Sequence, residues 1–86
     1  MKYKNLKWEK VLVKDYSGYK TPESPRAFVL NGREYKIIDI VDRWYEGGVY
    51  GKEPKMDYYK VIADNGKMYI LRYNALFDGW GILVSA

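Results

Sequence analysis

The chain of 86 residues contains no cysteine and no histidine. Without cysteine, neither disulfides nor thiolate metal sites can hold the fold together. Without histidine, Ser-His and Cys-His nucleophile pairs cannot be assembled. Hydroxyl nucleophiles are few: Ser17, Thr21, Ser24 and Ser85, none of them in a GxSxG elbow. No GxxxxGK[ST] or GxGxxG phosphate loop occurs. Gly47, Gly48 and Gly51 have the wrong order and no helix pattern after them. The carboxylates Asp39, Asp42, Glu46, Asp57, Asp64 and Asp78 do not fall into calcium-loop spacing. Long hydrophobic runs are missing too, and none approaches the roughly 20 apolar residues of a membrane-spanning helix. The N-terminus MKYKNLKWEK has no apolar h-region and no small-residue cleavage site. The expectation is a soluble cytoplasmic protein with no cofactor, no metal, no membrane segment and no catalytic residues.

What the chain does have is rings and lysines. Hydrophobic residues make up 48% and aromatic residues 17%, ten of them tyrosine. A single domain of this size buries roughly 60–65% of its unfolded surface, so its core is small and each large side chain matters. Charge is unevenly placed. Residues 1–20 hold six lysines against Glu9 and Asp15, so the whole formal excess of +4 sits in the first quarter of the chain. A basic arm or edge strand on a neutral body favours anionic partners. The same lysines also blunt an exposed strand edge.

The periodicity is that of strands. No segment sustains a three-to-four residue apolar repeat, and β-branched and aromatic residues dominate the periodic runs. Strands are expected at 8–16, 26–30, 33–45, 57–63, 67–73 and 80–84. Asn31-Gly32 is a strong hairpin signal, since both residues tolerate the positive φ of a type I′ turn. Asp64-Asn65-Gly66 and Asp78-Gly79 mark two further turns. The long run REYKIIDIVDRWY changes parity: Tyr35 and Ile37 share one face, Ile38 and Ile40 the other. Either both faces are buried there or a bulge lies near Ile38-Asp39. Strands of that kind take part in both halves of a small barrel.

The expected fold is therefore all-β: a small antiparallel barrel of five or six strands, SH3-like, with one long glycine-rich loop. Residues 1–86 form one domain, with 1–7 a flexible basic arm and 46–57 the loop. That loop lies in DRWYEGGVYGKEPKMDYY (42–59), where six of eighteen residues are aromatic or methionine and three are glycine. Alternation assigns Tyr59, with Val61 and Ala63, to the inside. Trp44 continues the parity of Ile38 and Ile40 and is expected in the core. Tyr45, Tyr50 and Tyr58 are expected to be exposed.

Two binding chemistries follow. Exposed rings stack single-stranded bases, and Lys2, Lys4, Lys7 and Lys10, interleaved with Tyr3 and Trp8, suit a nucleic-acid backbone. The leading expectation is a non-catalytic module binding single-stranded nucleic acid or a nucleoprotein through those four lysines and Tyr45, Tyr50 and Tyr58. The alternative is a protein-interaction module whose SH3-like aromatic groove takes a proline-rich peptide.

Phe28-x-x-x-Gly32-Arg33-x-Tyr35, Ile40-x-Asp42-x-Trp44, Tyr59-x-Val61, Tyr69-x-Leu71 and Trp80 together resemble a family of short, uncharacterised prokaryotic proteins. Some of these are encoded beside translesion DNA polymerase components. The resemblance covers about residues 26–84 and rests on core aromatics and turn glycines. It implies a small β-barrel-like domain, an accessory in nucleic-acid metabolism, and no catalytic residues. The glycine-rich stretch from Glu46 to Lys52 departs from the family's pattern.

Overall fold

A computed structural model of the chain describes residues 7–15, 24–47, 55–76 and 78–85. Six antiparallel strands, β1 (Lys7–Asp15), β2 (Pro25–Leu30), β3 (Arg33–Glu46), β4 (Met56–Ala63), β5 (Met68–Asn74) and β6 (Gly79–Ser85), follow one another around a closed barrel. The barrel is all-β and consistent with a small SH3-like fold, and no helix occurs among the described residues. No helix among those residues is long and apolar enough to cross a membrane. Lys7 already belongs to β1, and β3 and β4 pair as far as Glu46 and Met56, so the ladder runs into both ends of the expected loop.

Closure depends on two strands that serve both halves. β1 pairs with β6 over Lys7–Val11 and then with β2 over Leu12–Asp15. β3 pairs with β2 over Arg33–Lys36 and then with β4 from Ile37 to Glu46. The parity change in β3 is a pair of bulges, one between Ile37 and Asp39 and one between Ile40 and Asp42. Each inserts one residue, bends the strand and increases its twist. The inserted residues are put outside: Ile38 is 65% and Val41 47% exposed.

The second bulge corrects one expectation. It reverses parity after Ile40, so Arg43 lies opposite Tyr59, on the inward register, and Trp44 lies opposite Tyr58, on the outward one. Trp44 is half-buried and outside the barrel core. The core itself is Val11, Phe28, Tyr59, Val61, Ala63, Leu71 and Ile82, with Tyr35, Tyr69 and Trp80 packed against it. Alternation in β4 and β5 supplies most of these side chains, one face of each strand pointing inward.

Turn chemistry holds the register. Asn31 (φ 53°) and Gly32 (φ 79°) form the two-residue connection between paired Leu30 and Arg33. In the next hairpin Gly66 (φ 82°) donates to Ala63 O at 2.9 Å, and Ala63 donates to Lys67 O at 3.0 Å. This is a tight turn followed by a glycine bulge. No atom lies within 4 Å of where a Cβ on Gly32 would stand, so substitution there meets backbone strain and not a clash. Gly32→Val is expected to cost about 1–2 kcal/mol, because a β-branched residue is forced into the left-handed region. Urea denaturation checks it, and an unchanged midpoint would refute the strain.

Candidate binding cleft

Outward-facing residues of the curled sheet come into register across five strands. Trp44 of β3 lies opposite Tyr58 of β4, Tyr58 opposite Arg72 of β5, Arg72 opposite Gly81 of β6, and Gly81 opposite Lys10 of β1. Across this row the rings layer. Trp44 and Tyr58 stack at 5.4 Å with planes 5° apart. Trp8, one residue along β1 from Glu9, reaches in so that its ring lies 5.9 Å from Tyr58. The Arg72 guanidinium sits 4.3 Å from the Trp8 ring centroid. A guanidinium over an indole face is a favourable electrostatic contact that also removes apolar surface from water.

The result is a second aromatic cluster on the outside of the barrel, and it buries Tyr58 to 1% exposure. This corrects the expectation that Tyr58 is an exposed ring. Alternation placed it on the outer face rightly, but Trp8, Trp44 and Arg72 cover that face. The Tyr58 hydroxyl donates to Glu46 Oε1 at 3.2 Å and accepts from Arg72. Burial, and next the Glu46 carboxylate, raise its pKa above the ordinary tyrosine value, since both disfavour a phenolate.

Trp8 lies down over Gly81. A Cβ at Gly81 would stand 3.8 Å from Trp8 Cβ and Cε3 and 3.4 Å from the Glu9 main-chain oxygen. Glycine inside a strand often marks such close approach. Beside Trp8 the surface opens into a cleft of about 230 Å³ lined by Trp8, Gly79, Trp80 and Gly81, with the Trp80 ring itself packed inward against Tyr59 and Tyr73. Glu9, Lys10, Arg72 and Asn74 also line it, bringing hydrogen-bond donors and one carboxylate residue. A second hollow, of about 340 Å³, lies between Ser24–Arg26 and Ile37–Ile40 beside the first bulge and has no aromatic wall.

The residues expected to bind are not gathered here as a set. Lys7 and Lys10 are exposed on β1. Lys2, Lys4 and Tyr50 lie outside the described residues. Tyr45 is 67% exposed, with Lys55 Nζ 4.7 Å from its ring centroid, but it lies on the half of β3 that pairs with β4, and β3 does not pair with β1. Its register is that of inward-facing Tyr73 and Trp80 and not that of Lys10. Sequence reasoning missed Arg72, Asn74 and Trp80 as cleft residues. The one available signal was the pair of glycines flanking Trp80 in an otherwise apolar strand.

Among the described residues no group of three or more His, Asp or Glu is placed to hold a metal ion. Comparison of the chain with protein-family models, with curated proteins and with solved structures finds no match to any of them.

Proposed function

We propose that this protein is a non-catalytic interaction module that takes an extended, proline-bearing peptide along the cleft beside Trp8. One observation carries the reading. The outward Trp8 indole flanks an open cleft also lined by Gly79, Trp80 and Gly81, with polar donors beside it. Polyproline II segments dock on aromatic-lined surfaces because their fixed shape loses little entropy and their rings lie flat on aromatic faces. Trp8 is held in place by Arg72 and Tyr58, and Trp80 by Tyr59 at 5.5 Å and Tyr73 at 5.1 Å. Walls fixed before binding reduce the ordering cost of a complex.

The competing reading is single-stranded nucleic acid held by lysines and stacked tyrosines. Of its seven residues, Lys7, Lys10 and Tyr45 are exposed among the described ones, and Tyr58 is not available for stacking. Salt separates the two: phosphate contacts release condensed counterions and give a steep dependence, whereas an aromatic groove gives a shallow one.

Titration of the protein with blocked proline-rich peptides, followed by tryptophan fluorescence, is the direct test. Saturable binding that weakens little between low and moderate salt is expected. Gly81→Ala isolates the cleft from the fold. The added methyl meets only ordinary contacts, so stability is expected to stay level or rise by about 0.4–1 kcal/mol through a stiffer unfolded chain. Peptide affinity is expected to fall several-fold as the floor fills. Unaltered affinity in a folded Gly81→Ala protein would place the site elsewhere.

A further inference from the structure

We infer that Asn74 sets the register of the bound segment, donating its side-chain amide to a main-chain carbonyl of the peptide. The inference rests on the peptide reading and adds the residue that positions the partner. Its basis is one hydrogen bond made and one left open. Asn74 Oδ1 accepts from the Leu76 main-chain N–H at 3.0 Å. In a side-chain amide only the oxygen accepts, so that bond settles which way the group is turned. Nδ2 is thereby held on the other side of the amide plane, and among the described residues no acceptor meets it. It is not buried, so it is open to a ligand. Asn74 lines the cleft and lies opposite Gly79, on the same outward face of β5 as Arg72.

Asn65, in the turn before β5, shows the contrast. It makes the same bond two residues ahead, Oδ1 accepting from Lys67 N–H at 3.0 Å, but its Nδ2 donates to the Tyr69 hydroxyl at 2.9 Å. One such turn uses its amide within the protein, and the other presents it to the cleft. A proline-bearing segment supplies the missing acceptor. Proline has no N–H, and a polyproline II backbone makes no internal hydrogen bonds, so its carbonyls are free to accept. Among the other lining side chains, Glu9 is an exposed carboxylate with nothing to donate, and Lys10 carries its donors on a flexible stem. The Arg72 guanidinium is engaged by the Trp8 ring and the Tyr58 hydroxyl. Asn74 combines a free donor with a fixed direction. It stands two residues along β5 from Arg72, about 7 Å, a span that a polyproline II chain covers in about two residues. A segment lying beside Trp8 and Arg72 therefore reaches Asn74 without leaving its extended form.

Calorimetry with blocked, uncharged proline-rich peptides tests this on the parent, Asn74→Asp and Asn65→Asp proteins. Aspartate at 74 keeps the oxygen that accepts from Leu76 N–H and replaces the donor with a second acceptor. Asn74→Asp should therefore keep its melting temperature and bind about five- to tenfold more weakly, the loss of one hydrogen bond. The loss should persist as salt is added, because the peptide carries no charge. Asn65→Asp adds the same charge at the other end of β5 and should bind as the parent does. Thiocarbonyls, poorer acceptors, are then placed along the peptide one at a time. Binding to the parent should weaken at one position, and at that position Asn74→Asp should lose nothing further. Undiminished affinity in Asn74→Asp would overturn the inference while leaving the cleft itself to the Gly81→Ala test. So would an equal loss in Asn65→Asp. Should Asn74→Asp melt early, the parent decides, since indifference to every carbonyl position would also overturn the inference. Absence of binding by the parent would overturn both readings.

Discussion

Tyr58→Ala is expected to cost about 3–5 kcal/mol, the range for removing a buried aromatic ring. A domain of this length has a total stability of roughly 4–13 kcal/mol, so the loss is a large share of the total. The effect is large although Tyr58 faces away from the barrel core, because Trp44 stacks on one side of it and Trp8 closes over it. Removing the ring takes from both indoles the ring they pack against and leaves Arg72 and Glu46 without the hydroxyl between them. Tyr58→Phe keeps the stack and should cost only about 1 kcal/mol.

The same residue carries a pH dependence whose sign follows from its raised pKa. The folded state favours the neutral phenol, so its contribution is complete below the ordinary tyrosine pKa of 10.0 and declines as pH rises beyond it. Tyr58→Phe should therefore lose less stability between pH 9 and 11 than the parent. Urea denaturation across that range measures both effects. A Tyr58→Ala cost below about 1 kcal/mol would mean that the outer cluster does not form.

Phe28→Ala should produce a loss of similar size, about 3–5 kcal/mol, from the opposite side of the sheet. Phe28 is fully buried, stacked on Tyr35 at 5.4 Å and meeting Tyr69 edge-on at 5.1 Å. Strands hydrogen-bonded all the way round the barrel cannot move inward to fill the space, so the cavity term should be close to its full value. Phe28→Leu, which keeps most of the volume, should cost less than about 1.5 kcal/mol. In urea the midpoint should fall with little change in slope. Because Phe28 and Tyr58 lie in separate clusters on opposite faces, the two losses should add. A Phe28→Ala protein as stable as its parent would contradict the packing described for the core.

Most of the fold was legible in the chain. Asn31-Gly32 announced a hairpin because few other residue pairs accept two positive φ angles in succession. Tyr59, Val61 and Ala63, like Tyr69, Leu71 and Tyr73, announced their inward face because side chains alternate along a strand. Strand ends were readable to within two residues from glycine, proline and asparagine. The first bulge of β3 was visible as a break in parity at Ile37-Ile38. The burial of Tyr59 also followed from the chain alone, whereas Tyr45 is exposed although the second bulge puts it on the inward register.

The tertiary structure decided what covers the outside. Alternation says which way Tyr58 points and says nothing of whether a neighbour three strands away lies down upon it. Trp8 does so by crossing Gly81, more than seventy residues later in the chain. The second bulge, between Ile40 and Asp42, was hidden because Val41 is as apolar as a core residue while facing solvent, and it carried Trp44 to the outer face. The cleft itself draws on β1, β5 and β6, and no local pattern in a chain records which distant strands will lie side by side. Local rules set direction and turning because they act over a few residues. Burial on the outer face and the cleft beside it depend on barrel closure, which is a property of the whole chain.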